Sequence, residues 1–262
     1  MKERADKLLV ARGLAPSREK AQALIMAGLA LSGGRAIVKP GSLLDEAADL
    51  ALKETLPFAS RGGLKLAEAL DRFGVEVRGK TAVDVGASTG GFTDCLLQRG
   101  ARRVYAVDVD TSQLDWKLRG DPRVALVEKN ARALEPGDIG EAADIVAVDV
   151  SFISILKILP ALKTIRGEWL LLGLVKPQFE AGRREVGKKG IVRDPAVHQA
   201  VLTRVVSGAR EEGFVLRDLM PCSTRGQKGN VEFFGCWSRS GPAGDGVTDE
   251  FRIKEAVKNE DR

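Results

Sequence analysis

Lys65, Asp149, Lys176 and Glu232 are the residues of this 262-residue chain best placed to carry chemistry. Asp149 closes the apolar run Ile145-Val146-Ala147-Val148, and Lys176 follows the run from Trp169 to Val175. A lysine abutting so apolar a strand costs burial energy unless it has a partner. In a doubly wound sheet the carboxyl ends of the strands line the ligand crevice, so Asp149 and Lys176 should converge there. Lys65 lies in Ser60-Arg61-Gly62-Gly63-Leu64-Lys65-Leu66, before the first strand, and Glu232 begins the last strand after Gly229-Asn230. Each also has a plainer reading: a solvated helix lysine, a turn or cap, a surface lysine and a strand-edge charge, in that order along the chain. The only histidine is His198, which excludes most histidine-based metal sites and argues against a Ser-His-Asp relay. It sits on a predicted helix after Asp194-Pro195, where a surface or capping role is expected. Chemistry that must remove a proton therefore points to a lysine, and Lys176 is the candidate.

The elements that would position these residues begin near residue 80. Thr81–Val85, Arg103–Asp108, Asp144–Asp149 and Trp169–Val175 read as strands, with Phe92–Arg99 as a helix and Val124–Val127 strand-like. Strand–helix alternation with short loops predicts an α/β fold with a parallel, doubly wound sheet. Phe214-Val215-Leu216 and Val231–Trp237 supply a late pair of strands, expected as an antiparallel edge. The first strand feeds a glycine turn, Gly86-Ala87-Ser88-Thr89-Gly90-Gly91-Phe92, which lets a ligand approach the backbone and exposes N–H groups at a helix start. Such a turn alone fits a nucleotide, a flavin or packing. Asp84 before it would repel a pyrophosphate but can accept from a cationic amino group, and Asp108 ends the next strand where an acid can bind both ribose hydroxyls of an adenosine cofactor. Acid, glycine turn and second acid favour S-adenosylmethionine over NAD, and the Walker pattern is absent. Asn130, in Asn130-Ala131-Arg132, is placed at the border of the adenine, and an ordinary loop fits it as well. Trp116 and Phe152 are placed either near the ligand or, by default, in the core.

The charge is lopsided. The formal net charge is +5, and residues 1–40 hold eight basic residues against three acids, the whole surplus. A basic footprint of this kind belongs to a polyanion-binding module, though a solvated basic helix face would look the same. Arg4–Arg12 reads as a helix closed by Gly13, and Ser17 caps a second helix ending at Gly28. Ser32-Gly33-Gly34-Arg35 then sits between two short apolar runs as a hairpin. Two helices and a basic hairpin over residues 1–56 resemble the S-four type RNA-binding module. That resemblance implies binding to structured RNA, with Arg4, Lys7, Arg18, Lys20, Arg35 and Lys39 as phosphate contacts.

The motifs of the larger part are specific in order and spacing. Asp84–Asp94, Val148-Asp149-Val150-Ser151-Phe152-Ile153-Ser154, Val175–Glu180 and Gly229-Asn230-Val231-Glu232 resemble the TlyA family of bacterial ribosomal RNA 2′-O-methyltransferases, relatives of FtsJ, some of which carry haemolysin names. The resemblance spans nearly the whole chain and implies a Rossmann-like class I methyltransferase domain at 61–240, joined by a linker at 57–60 to the RNA module. It implies S-adenosylmethionine as cofactor, cytidines of 16S and 23S ribosomal RNA as substrates, no metal, and a Lys65-Asp149-Lys176-Glu232 tetrad. Gly86, Ser88, Thr89, Gly90, Gly91 and Phe92, with Asp84, Asp108, Asn130 and Asp149, form the expected cofactor set. Arg61 and the stretch holding Arg183, Arg184, Lys188 and Lys189 are expected to face RNA. Pro57-Phe58-Ala59-Ser60 departs from the family's linker pattern, and Phe58 is expected to anchor the hinge. Residues 241–262, charged and poorly patterned, are expected to form a flexible tail.

Three cysteines, odd in number and too scattered for a zinc cluster, fit a reduced compartment, and a charged start with no long apolar run fits a cytoplasmic monomer rather than a spanning protein. Two other classes compete with a methyltransferase. One is a non-enzymatic RNA-binding or ribosome-assembly factor, against which an intact tetrad counts. The other is a membrane-lytic protein, for which no spanning or basic amphipathic helix speaks.

Overall fold

The computed structural model describes residues 2–26, 28–53, 56–182, 185–187, 189–239 and 246–260. The chain divides into two compact units, Met1–Leu56 and Pro57–Arg262.

The first unit runs β1 (Lys2–Arg4), α1 (Ala5–Ala11), α2 (Arg18–Met26), β2 (Ala30–Ser32), β3 (Arg35–Ala36), β4 (Leu43–Asp45) and β5 (Leu50–Leu52). Strand β1 pairs antiparallel with β4, and β3-β2-β5 form a small antiparallel sheet. The helix boundaries follow the expected signals: Ser17 Oγ accepts from Lys20 N at 3.2 Å, and Gly13 and Gly28 take positive φ at the helix ends. Gly33 and Gly34 both have positive φ, the backbone that a two-residue hairpin turn requires. The residues ahead of α1 are a strand rather than the start of the helix. The core is thin, built on Ala5, Leu9, Ala15, Ala21, Ile25, Ala30 and Ile37. No aromatic residue occurs in residues 1–56.

The second unit runs α3 (Gly62–Phe73), β6 (Thr81–Val85), α4 (Gly91–Gln98), β7 (Arg103–Asp108), α5 (Trp116–Arg119), β8 (Val124–Glu128), β9 (Ile145–Val148), α6 (Leu159–Leu162), β10 (Leu170–Val175), α7 (Pro177–Glu180), α8 (Pro195–Glu211), β11 (Val215–Pro221), β12 (Phe233–Ser238) and α9 (Asp249–Lys258). Its seven-stranded sheet has the order β11-β12-β10-β9-β6-β7-β8. It is a Rossmann-like α/β sheet. Alternate side chains go to opposite faces: Val83 and Val85 join one core cluster, Ala82 the other. Both faces are covered, so the central strands are continuous apolar runs.

The late strands form the expected antiparallel pair at the edge of the sheet, and β12 also pairs antiparallel with β10, which places it between β10 and β11. Every residue of β12 is buried, which suits an interior strand, whereas β11 carries Arg217, Asp218 and Pro221 and lies at the edge. One expectation needs correction: residues 249–258 are not part of a flexible tail. Asp249–Lys258 is a helix capped by Thr248, whose Oγ1 accepts from Phe251 N at 3.2 Å, and Ile253 and Ala256 are buried on one face. Their apolar spacing is diluted by six charged residues in the same helix, which hid it in the sequence. Residues 240–245 and 261–262 lie outside the described residues.

Candidate active site

The register of the sheet gathers the four candidate side chains at one end. Val85 of β6 pairs with Val148 of β9, so Asp149 lands on the glycine turn that follows β6. Asp149 N donates to Val85 O at 2.9 Å, and a Cβ on Gly86, at φ +89, would lie 2.5 Å from the Asp149 carbonyl oxygen. Only glycine fits there. Lys176 follows β10 at the same end. Glu232 precedes its strand, yet it arrives at the same place because β12 runs backwards, pairing Phe233 with Val175. Lys65 comes from the buried face of α3, alongside Leu66, Ala69 and Leu70.

The four form two ion pairs. Lys176 Nζ is 2.5 Å from Asp149 Oδ1 and donates to Ser151 Oγ at 2.9 Å. Lys65 Nζ is 2.5 Å from Glu232 Oε2, and Gln178 Nε2 donates to Glu232 Oε1 at 3.0 Å. Lys65, Lys176 and Glu232 are 7, 9 and 2 % exposed, so each lysine has the partner that its burial demands. All four line one cavity of about 380 Å³, together with Arg61, Gly86, Ser88, Thr89, Gly91 and Phe92.

A second cavity of about 500 Å³ holds Asp108 and Asn130 and shares Gly86, Ser88, Asp149, Ser151 and Phe152 with the first. Asp108 Oδ2 accepts from Ser88 N at 2.9 Å and Oδ1 from Asp110 N at 3.1 Å, which fixes the carboxylate at the rim of the turn. Asn130 Oδ1 accepts from Arg132 N at 3.0 Å, leaving its amide donors for the cavity. Asp149 stands on the boundary between the two cavities.

Asp84 and Gly90 line neither cavity. Asp84 is fully buried beneath the turn, where Oδ2 accepts from Thr93 Oγ1 at 2.6 Å and Oδ1 has no hydrogen-bond partner among the described residues. Burial pushes this carboxyl up to about 7, against the Thr93 hydrogen bond and with help from the Asp149 charge.

Several side chains stand apart from expectation. Phe152 is not in the core: it is 88 % exposed, has φ +63, and lies 5.0 Å from the Phe179 ring. Trp116 is 71 % exposed on α5. His198 is neither a surface nor a capping residue, being 1 % exposed beside Glu260. Ser151 and Gln178 are polar contacts not singled out from the sequence; each lies two residues past a candidate, Ser151 in the loop after β9 and Gln178 in α7. The linker belongs to the second unit. Pro57 O accepts from Gln98 Nε2 and Ala59 N donates to Asp94 Oδ2, both at 2.8 Å, while Phe58 packs on the core as expected.

The basic candidates divide by their partners. Arg4 and Arg18 in the first unit both bond the buried Asp6, and Lys7 is 3.6 Å from Glu3. Lys20, Arg35 and Lys39 are exposed, as are Arg61 and Lys189 in the second unit. Arg183, Arg184 and Lys188 lie outside the described residues. The acids Asp45, Glu46, Asp49 and Glu54 belong to the same unit as the basic start, so Met1–Leu56 has nine bases and seven acids. The surplus is a feature of residues 1–40 rather than of the whole unit. Among the described residues no helix is long and apolar enough to cross a membrane, and no cluster of three His, Cys, Asp or Glu could hold a metal ion.

Residues 58–239 match the FtsJ-like methyltransferase family. The chain belongs to that family. Within it, 42 % identity over 90 % of both chains links this chain to the 16S/23S rRNA (cytidine-2′-O)-methyltransferase TlyA of Mycobacterium tuberculosis. Hemolysin A of Brachyspira hyodysenteriae is 39 % identical over 88 % of this chain and 97 % of its own. A solved Streptococcus thermophilus structure with a hemolysin name superposes with a TM-score of 0.75 at 44 % identity, covering 99 % of this chain and 96 % of that one. These full-length FtsJ-like relatives span both compact units, so the front unit is shared with them and is not an addition peculiar to this chain.

Proposed function

We propose that this chain transfers the methyl group of S-adenosylmethionine to the 2′-hydroxyl of a cytidine in ribosomal RNA, 16S, 23S or both. The observation that carries the reading is the pair of cavities meeting at Asp149, one with an adenosine-type acid and one with two lysine–carboxylate pairs. The activity that the TlyA relatives carry in their names fits that chemistry.

The residues suit the cofactor. Asp108 presents a fixed carboxylate to ribose hydroxyls, Asn130 offers amide donors beside it, and the Gly86 turn brings backbone close. The unpartnered oxygen of Asp84 is an acceptor suited to a cationic amino group at the turn. S-Adenosylmethionine supplies an activated methyl on sulfur, so what remains for the chain is alignment and removal of a proton. The Asp149 carboxylate pairs with the Lys176 nitrogen, Ser151 Oγ accepts from it, and Lys176 is the base that takes the hydroxyl proton as the 2′-oxygen gains the methyl group. Glu232 fixes Lys65 and Gln178 on the opposite wall, where they orient the ribose.

Phe152 serves as a platform for the target base. Its exposed ring borders both cavities, and aromatic stacking on a base contributes about 1–3 kcal/mol. The first unit acts as an S-four type RNA-binding module, with Lys20, Arg35 and Lys39 on phosphates and Arg61 nearer the reacting nucleotide. A ribosomal RNA substrate places the protein in the cytoplasm.

The test is mass-spectrometric mapping of ribose methylation in ribosomal RNA with the wild type and with Lys176→Ala. The wild type should add 2′-O-methyl groups, and the variant should add none while binding the cofactor nearly as well. No wild-type modification at any ribose would defeat the reading, and a folded Lys176→Ala protein that lost cofactor affinity would overturn the role of Lys176.

A further inference from the structure

The only histidine and the end of the chain are joined by contacts that the proposed reaction does not use. His198 lies in the first turn of α8, with Nδ1 2.7 Å from Glu260 Oε2 and Nε2 3.2 Å from the Val192 carbonyl oxygen. Both ring nitrogens face oxygen atoms, a carboxylate on one side and a main-chain carbonyl on the other. Its ring also meets Phe233 edge-on at 5.6 Å, directly beside Glu232. Glu260 is 8 % exposed, and its main-chain oxygen accepts from Arg225 at 2.8 Å. The last described residue is thus fastened twice.

Both fastenings lead to Glu232. Val192 N donates to Asn230 Oδ1 at 3.0 Å, Asn230 Nδ2 donates to Gly190 O at 2.9 Å, and Gly226 N donates to Asn230 O at 2.8 Å. Asn230 is 2 % exposed and sits two residues before Glu232. Gly226 packs so closely on the Glu232 carboxylate that a Cβ there would collide with it. The turn from Arg225 to Glu232 is therefore gripped from one side by Glu260 and from the other, through Val192, by His198. Helix α9 supplies the lever: Ile253 and Ala256 bury against the core, and Arg252 Nε donates to Arg217 O at 2.8 Å.

We propose that α9 and Glu260 form a C-terminal latch, closed on His198, that fixes the turn carrying Glu232 and through it Lys65. His198 and Glu260 are positioning residues. Their effect on methyl transfer rests on the reading given under Proposed function; their effect on the turn does not. A carboxylate displaced by a fraction of an ångström lets Lys65 and Gln178 drift from the ribose, a loss of alignment rather than of binding.

The experiment uses the full chain with Glu260→Ala, His198→Ala and the conservative Glu260→Gln, which retains an acceptor for the imidazole. Hydrogen–deuterium exchange is read over residues 222–233, and methyl transfer is read as kcat, KM for RNA and cofactor Kd. In Glu260→Ala and His198→Ala, exchange in that segment should quicken about tenfold relative to the central strands. Their kcat should fall roughly tenfold to a hundredfold with KM and cofactor Kd held. Glu260→Gln should recover most of both, and it remains informative if an alanine variant fails to fold. Wild-type exchange over 222–233 in a folded alanine variant would overturn the latch. So would a loss of activity that follows cofactor affinity, or a Glu260→Gln protein no better than Glu260→Ala. A wild type that methylates no RNA sinks the functional reading alone, because the exchange measurement still judges the latch.

Discussion

Asp6 in the first unit and Asp84 in the second are both closed off from solvent, and their environments push them in opposite directions. Asp6 accepts from Arg4 through both oxygens, at 3.0 and 2.9 Å, and from Arg18 at 3.0 Å and Gln22 at 2.8 Å. The Arg4 guanidinium, with Gln22 and Arg18 behind it, holds this carboxyl well below the usual carboxylate range. Asp84 has Thr93 as its donor and the negative Asp149 nearby, and burial pushes it up to about 7. Burial by itself therefore does not set the charge of a carboxyl; the supply of donors does. Asp6 spends its oxygens tying α1 to α2, and Asp84, beneath the glycine turn, keeps one oxygen without a partner among the described residues. One is a structural knot and the other a buried carboxyl with an unpaired oxygen.

The comparison is tested most severely by pH, on the Asp84 side. A carboxyl whose folded pKa lies above its unfolded value near 3.8 binds more protons in the folded state between the two. Stability of the second unit should therefore fall as pH rises from about 4 to 7, by an amount on the order of 4 kcal/mol for a shift of about three pKa units. Asp84→Asn should remove that slope, leaving the variant flatter and relatively more stable at pH 8 than at pH 4. Trp116, Trp169 and Trp237 all lie in the second unit, so urea unfolding followed by tryptophan fluorescence reads this unit alone. Parallel stability–pH curves for wild type and Asp84→Asn would remove Asp84 from the comparison.

The Asp6 side predicts the opposite sign and a smaller effect. Its stabilisation is fully present above the ordinary carboxylate range and is lost as pH falls through the depressed folded value. Asp6→Ala should destabilise the first unit by about 2–3 kcal/mol, the scale of hydrogen bonds to a charged group. With no aromatic residue in residues 1–56, the measurement is hydrogen exchange over α1 and α2. Protection in those helices that is unchanged by the substitution would show that Asp6 is not the knot. The same variant releases Arg4 and Arg18, so any gain in RNA affinity would measure how much of the basic front end is held in reserve by Asp6.

The sequence reading saw the Asp84 side more clearly than the Asp6 side, for a physical reason. Strands β6, β7, β9 and β10 are covered on both faces, and their continuous apolar runs announce themselves, with Asp149 and Lys176 at their ends. The helices and hairpin of the first unit were legible through Ser17, Gly13, Gly28 and the Gly33-Gly34 pair, which are local signals. Asp6 was not legible, because its burial depends on Arg18 and Gln22 arriving from the next helix, and Arg4 and Arg18 look in the sequence like phosphate contacts. Long-range partners also decided what was missed elsewhere. The place of β12 inside the sheet, the pairing of His198 with Glu260 across 62 positions, and the packing of α9 are set by tertiary contacts that no local window contains. Phe152 carries no local signal for exposure at all.

The finest test asks whether donor supply alone separates the two carboxyls. Among the described residues Thr93 is the one donating to Asp84, its Oγ1 at 2.6 Å, where Asp6 has three residues donating. Thr93→Val removes it at nearly constant shape and should destabilise the second unit by about 1–2 kcal/mol above pH 7, where the carboxylate is charged. Below pH 4 both oxygens are neutral, and the cost should shrink. The midpoint of the Asp84 slope should move above 7 in Thr93→Val and return in Thr93→Ser, which restores the hydroxyl. A valine variant with an unmoved midpoint would mean that burial and the Asp149 charge set Asp84 by themselves. The contrast with Asp6 would then be one of neighbouring charge rather than of hydrogen bonding, and Asp149→Asn, not Thr93→Val, would be the substitution that closes the gap.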